Sequence, residues 1–200
     1  MTEDPRTAKG RATRDRIVAA ASKLIRARGI AETSLDDVID HAGVSKSQLY
    51  HYFEDRSDLL RAVVALNTES ILRDIGPLDS WKAIRSWLDS LVGLQVERRC
   101  RGGCPIGALV GQLAESDDRA RVALADSFTR WEEKLRDGLR SMQEQRKLKR
   151  TADPDGLATA TLAAIQGGLL LTQIRRDPDP LAVSLEAAYT NLRSYVRTAR

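Results

Sequence analysis

The stretch Thr33–Phe53, TSLDDVIDHAGVSKSQLYHYF, decides how the rest of the chain is read. Ser34 stands three residues before Asp37, so its hydroxyl can cap a free helix amide while the carboxylate answers the Ser34 N–H. Leu35, Val38, Ile39 and Ala42 then recur at helical spacing as an apolar stripe that must pack on something. Gly43 follows, where a left-handed turn would cost any other residue. Val44 is apolar inside the turn, and Ser45 is placed to cap a second helix in which Leu49, Tyr52 and Phe53 share one face. The spacing predicts a helix, a tight turn and a second helix.

That second helix leaves Lys46, Ser47, Gln48, Tyr50 and His51 pointing outward. A cation and hydroxyls suit phosphates, an amide can read an adenine edge bidentately, and helix N-terminal amides suit another phosphate. Such a pair matches a helix-turn-helix, whose second helix enters the major groove of DNA. An ordinary helical corner with a solvated face fits the pattern equally well.

The run GVSKSQLYHYFEDRSDLL, preceded by TSLDDVIDHA, resembles the DNA-binding domain of the TetR family of bacterial repressors, over about Arg14 to Val64 without a gap. The resemblance implies an all-α protein with an N-terminal three-helix DNA-binding domain and a C-terminal helical domain for ligand binding and dimerisation. It implies phosphate contacts at Thr33, Ser34, Tyr50, His51 and Arg56, and positions near base edges at Ser45, Lys46, Ser47 and Gln48. Asp36 and Asp37 depart from what a phosphate surface would want, so neither is assigned a DNA contact. The implied partners are a double-stranded operator, a small-molecule effector and a second copy of the chain.

Composition sets wider bounds. Two hundred residues suffice to bury a real core, and with aromatics at only 4% that core must be mostly Leu, Ile, Val and Ala. Thirty-two Lys and Arg against twenty-eight Asp and Glu leave a net charge of +4, which favours polyanions over acidic substrates but identifies neither. Position tells more: the first thirty residues carry eight cations against three anions. Arg6, Lys9 and Arg11 are candidate phosphate contacts there, and Met1–Pro5 read as a frayed end. The start lacks a signal-peptide core, and no window reads as the roughly 18 apolar residues of a membrane span, so a cytoplasmic protein without a membrane is expected.

Along the chain, Arg11–Arg28 reads as the first helix, and a fourth begins near Asp58 and runs to about Ile75. Gly76-Pro77 is the clearest break, giving an arm and helix-turn-helix domain over 1–56, a connecting helix over 57–76, and an effector-binding and dimerisation domain over 77–200. Helices are expected over Trp81–Arg98, Cys104–Glu115, Asp118–Arg146, Asp155–Arg176 and Leu181–Thr198. In the penultimate helix small Ala and Gly residues are interspersed with Leu and Ile, and in the final helix Leu181, Leu185, Ala188, Leu192 and Tyr195 form one stripe; paired about a two-fold axis the two would make the intersubunit four-helix bundle typical of the resembled family.

For the effector, periodicity singles out Trp87 with Leu91, Phe128 with Trp131, and Gln95 or Gln166 as groups that could orient a polar ligand atom. Cys100 and Cys104, four apart and flanked by arginines, leave a thiol redox switch as an alternative. A helical interaction module without DNA binding is the other alternative. The two histidines, His41 and His51, lie in the motif, so neither a metal nor a cofactor is expected. No nucleophile has a matching base, and no Gly-rich phosphate loop is present, so the chain does not read as an enzyme.

Overall fold

The computed structural model describes residues 7–197, and the arm position Arg6 and helix end Thr198 lie outside that range. Among the described residues the fold is all-α: α1 (Ala8–Arg28), α2 (Leu35–Ala42), α3 (Lys46–Tyr52), α4 (Arg56–Arg73), α5 (Trp81–Glu97), α6 (Gly107–Leu113), α7 (Asp118–Glu144), α8 (Pro154–Arg175) and α9 (Asp179–Arg193). α1 starts earlier than expected because the Thr7 hydroxyl accepts the Gly10 N–H at 3.0 Å.

Two helices are shorter than the sequence suggests. Cys104 does not open α6; its sulfur accepts the Gly107 N–H at 3.2 Å and its carbonyl accepts the Ala108 N–H at 2.9 Å, which leaves Pro105 and Ile106 in the turn before the helix. α9 stops at Arg193 because the next backbone groups pair elsewhere: Lys149 N–H donates to Tyr195 O at 2.9 Å and Arg197 N–H to Lys147 O at 3.1 Å, closing the isolated antiparallel bridge Leu148–Val196.

The chain forms two compact units. The first takes in residues through Ser70 together with Leu109–Ser127, and the second Ile71–Ala108 with Phe128 onward. In the first unit Ile17, Ala21, Val38, Leu49, Phe53, Leu59, Val63 and Val64 form the core. The α2 and α3 helices, at eight and seven residues, are too short to persist alone and depend on that packing. In the second unit Ile84, Leu88, Ile106, Leu139, Met142, Ile165, Leu181 and Leu192 are buried.

Within the second unit α8 and α9 pack closely. A Cβ on Gly168 would lie 2.7 Å from Ser184 Oγ and 3.0 Å from Leu181 Cα, so glycine sets the approach of the two helices. Ser184 Oγ donates to Ala164 O at 2.9 Å, and the Leu181 N–H donates to Thr172 Oγ1 at 3.1 Å. Leu181, Leu185 and Leu192, from the stripe expected on α9, are buried within their own chain. Leu170, Leu171 and Ile174 of α8 and Val183 of α9 are instead exposed. Contrary to the sequence reading, α8 is long and apolar enough to cross a membrane by length and composition, with 44% of that window buried.

Candidate functional site

The Thr33–Phe53 stretch is built from two complete capping boxes in succession. Ser34 Oγ accepts the Asp37 N–H at 3.1 Å while Asp37 accepts the Ser34 N–H at 2.9 Å. Eleven residues on, Ser45 Oγ accepts the Gln48 N–H at 3.1 Å and Gln48 Oε1 accepts the Ser45 N–H at 2.8 Å. Each cap contributes on the order of 1 kcal/mol. Between the helices Gly43 takes the left-handed conformation, with φ 61° and ψ 46°, and its N–H returns to Asp40 O. Val44, Leu49 and Phe53 are buried below, and the Arg14 guanidinium lies 5.3 Å from the Phe53 ring centre.

On the other side Lys46, Ser47, Gln48, Tyr50 and His51 are exposed, as the sequence spacing predicts. Tyr50 is 47% exposed, and the His51 ring meets Tyr52 edge-on at 4.8 Å. Gln48 has a second task, because its Oε1 closes the α3 cap; a bidentate contact to adenine needs that oxygen to take another donor or the cap to open. Lys9, Arg11, Arg16, Lys23 and Arg26 are exposed along α1 and supply the local positive charge.

Two of the residues matched to phosphate positions are occupied inside the unit. Thr33 is buried, and its hydroxyl donates to Gly29 O at 2.7 Å. Arg56 Nη2 donates to the carbonyls of Ile30 and, at 2.8 Å, Thr33. Arg56 therefore ties the loop between α1 and α2 to the start of α4. Ser34 is exposed, with its oxygen in the α2 cap.

Asp37 is a structural carboxylate. Hydrogen bonds from Ser34 and the Arg28 guanidinium, 2.9 Å away, lower its pKa to about 2 from the usual 3.8. With the folded value depressed, its stabilisation is present above the ordinary carboxylate range and is lost as pH falls through about 2. The difference in melting temperature between wild type and Asp37→Asn should therefore shrink between about pH 4 and about pH 2. A difference that stays constant over that range would refute the assignment.

Sequence reasoning missed the grip of residues 109–127 on this unit. Ile30 N–H donates to Gln112 Oε1 at 2.9 Å, Ser57 donates to Asp117, and Arg119 pairs with Asp55 at 2.8 Å. Beneath them the buried hydroxyls of Thr68 and Ser127 meet at 2.7 Å. Hydrogen bonds from Ser57 and from the Ala120 N–H, which Asp117 also caps, lower the Asp117 pKa. These partners stand about sixty to eighty residues apart, and no local pattern announces them.

The residues singled out for an effector all lie in the second unit. Trp87, Leu91 and Gln95 follow one face of α5, with Trp87 and Gln95 buried and Leu91 half-buried. On α7, Trp131 is buried and Phe128 half-buried. Gln166 of α8 borders the segment before α6: a Cβ on Gly107 would lie 2.8 Å from its Oε1, and it hydrogen-bonds the Cys104 thiol. A separate groove of about 330 Å³ runs between α5 and α9, lined by Arg85, Leu88, Asp89, Val92, Leu185 and Glu186 among others, and none of the six singled-out residues lines it. Cys100 and Cys104 are free, buried thiols, and burial pushes the Cys104 pKa up.

Known proteins with this arrangement agree in kind. The family model for bacterial regulatory proteins of the tetR family matches residues 17–63, and that for the C-terminal domain of LmrA/YxaF-like transcriptional regulators matches residues 80–187. The transcriptional regulator AcuR of Cereibacter sphaeroides is 30% identical over 194 residues, covering 90% of this chain and 88% of its own. LmrA of Bacillus subtilis, an HTH-type transcriptional regulator, is 26% identical over 182 residues, 84% of this chain and 90% of its own. The crystal structure of a TetR transcriptional regulator from Chloroflexus aurantiacus superposes with a TM-score of 0.81 at 24% identity, over 96% of this chain and all of that one. With two short capped helices presenting a polar edge, and with both halves of the chain matched, the protein belongs to the TetR family of bacterial transcriptional regulators.

Proposed function

We propose that the chain is a cytoplasmic, ligand-responsive repressor that binds a palindromic operator as a homodimer and is released by a small molecule in its C-terminal unit. The observation that carries this reading is the exposed edge Ser45–His51, fixed from below by Leu49 and Phe53 and from its end by the Ser45–Gln48 box. Ser45, Lys46, Ser47 and Gln48 face the bases, Tyr50 and His51 the flanking phosphates, and Ser34 joins them from the start of α2. Thr33 and Arg56 contribute from behind, by shaping the loop before α2.

Dimerisation is assigned to α8 and α9, where Leu170, Leu171, Ile174 and Val183 are apolar and exposed in the single chain. A two-fold axis there sets two α3 helices at a fixed spacing, matching half-sites about one helical turn or more apart. A ligand shifts that spacing only if it binds the two states unequally. α4, α6 and α7 each run along the chain from one unit into the other, which gives the change a covalent route. The thiol alternative has less support, because both cysteines are buried and the Cys104 thiolate is disfavoured.

Fluorescence anisotropy with duplexes from the region upstream of the protein's own reading frame tests the DNA assignment. Lys46→Ala should weaken every duplex and flatten the plot of log affinity against log salt by about one contact. An unchanged slope removes Lys46 from the interface. For the dimer, Ile174→Glu should turn the sedimentation of the full chain from dimer to monomer at micromolar concentration; a dimer that survives places the interface elsewhere.

A further inference from the structure

The turn between α1 and α2 is closed on itself and then held from outside. Gly29 ends α1 at φ 87°, with its N–H on Ile25 O at 2.7 Å. Thr33 folds back, its N–H on Ile30 O at 3.2 Å and its hydroxyl on Gly29 O at 2.7 Å. The Ile30 N–H instead leaves the turn and donates to Gln112 Oε1 at 2.9 Å, 82 positions along the chain. The Ile30 carbonyl is taken by Arg56 Nη2, which also donates to Thr33 O at 2.8 Å. Both polar backbone groups of one residue are thus held by side chains of two other helices, α6 and α4.

Gln112 is itself carried on a fixed frame. Leu109 and Leu113, one turn apart on α6, are 2% and 4% exposed, and the Gln112 carbonyl accepts the Ser116 hydroxyl at 3.2 Å. Just beyond, Asp117 accepts the Ser57 hydroxyl and Arg119 pairs with Asp55 at 2.8 Å. Ile30, Arg56 and Gln112 all belong to the first compact unit. The Gln112 amide also runs beside Gly29, where an added Cβ would lie 3.5 Å from its oxygen. Ile30 is only 9% exposed, so an apolar side chain at 112 leaves its N–H shielded and unpaired. Ser34, the cap of α2, follows the turn directly.

We propose that Gln112 is a positioning residue for operator binding: by holding the Ile30 N–H while Arg56 holds the Ile30 carbonyl, it fixes where α2 starts and so where the helix-turn-helix presents its polar edge. The proposal rests on the DNA-binding reading above and adds a determinant from outside residues 17–63. Gln112 acts through the turn and not on DNA. It raises the fraction of chains whose turn is in the binding-competent place, and apparent affinity scales with that fraction.

Residue-resolved amide exchange of the full-length chain, together with anisotropy on the upstream duplexes, tests this. Gln112→Met keeps the length of the side chain and removes the oxygen. In that variant Ile30 N–H exchange should quicken by about tenfold, and the duplex should bind about three- to tenfold more weakly well below the melting transition. The salt slope should stay that of wild type, because no phosphate contact is removed. Gln112→Glu keeps an acceptor and should restore both exchange and affinity, compared at elevated salt so that the added charge is screened. Unchanged Ile30 exchange in the methionine variant overturns the hydrogen bond, and faster exchange with unchanged affinity overturns the positioning role. A flattened salt slope makes Gln112 a direct contact, and a glutamate variant as weak as the methionine one reduces it to packing; either overturns the proposal. All four outcomes leave the DNA reading standing. A wild-type chain that binds no duplex removes that reading, and this proposal with it.

Discussion

Phe53→Ala should destabilise the chain by about 3–5 kcal/mol, read as a shift of the urea midpoint followed by circular dichroism, and should abolish DNA binding at the temperature where wild type still binds. Phe53 is 1% exposed at the end of α3, and its N–H closes the last turn of that helix on Leu49 O at 3.0 Å. Removing the ring leaves a cavity below a seven-residue helix that has little stability of its own. It also removes the surface facing the Arg14 guanidinium. Phe53→Leu, which keeps most of the volume, should cost far less and retain binding. A loss below about 1 kcal/mol for the alanine variant would mean that α3 is not anchored through this residue.

The second large effect is expected at Gly138, two turns before the end of α7. Helix propensity alone favours alanine there by about 0.5–1 kcal/mol. Sterics point the other way: the added Cβ would lie 2.3 Å from the Leu78 carbonyl oxygen and 2.6 Å from its carbon, both backbone atoms that no rotamer change can move. Leu78 is itself buried, so the relief must come from a shift of the backbone. Overpacking of this kind costs about 1–3 kcal/mol and exceeds the propensity gain, so Gly138→Ala should lower the melting temperature and Gly138→Val should lower it further. Gly93→Ala is the internal control. It lies in the helix α5 with nothing within 4 Å of the added carbon, and should raise stability by about 0.4–1 kcal/mol. Equal responses at the two glycines would exclude the close approach to Leu78.

Local chemistry made the helix-turn-helix motif legible in the sequence. The Ser34–Asp37 and Ser45–Gln48 caps, the left-handed Gly43 and the buried Leu49 and Phe53 each follow from residues within four positions of one another. Resemblance added the family but not the state of each side chain. Arg56 and Thr33 fall on positions matched to phosphate contacts, yet Arg56 spends its donors on carbonyls 23 and 26 residues earlier, and Thr33 spends its hydroxyl on Gly29. The α8–α9 pairing was legible as composition, because Gly and Ala permit close approach. Which leucines face inward was not, since both faces of α8 read as apolar. The early stop of α9 depends on a bridge to residues nearly fifty positions away, beyond any window a periodicity can scan.

Gln112, Asp117, Arg119 and Ser127 fall within the stretch matched by the C-terminal family model, yet they pack in the same compact unit as the DNA-binding motif. A hybrid regulator assembled by joining one protein's first seventy-odd residues to another's remainder therefore transplants part of the DNA-binding unit along with the C-terminal unit. The Ile30 amide, the Ser57 hydroxyl and the buried Thr68 would each meet a stranger. Exchange of C-terminal units between relatives is best attempted with residues 109–127 kept from the parent that supplies α1–α4, a mosaic seam rather than a single cut.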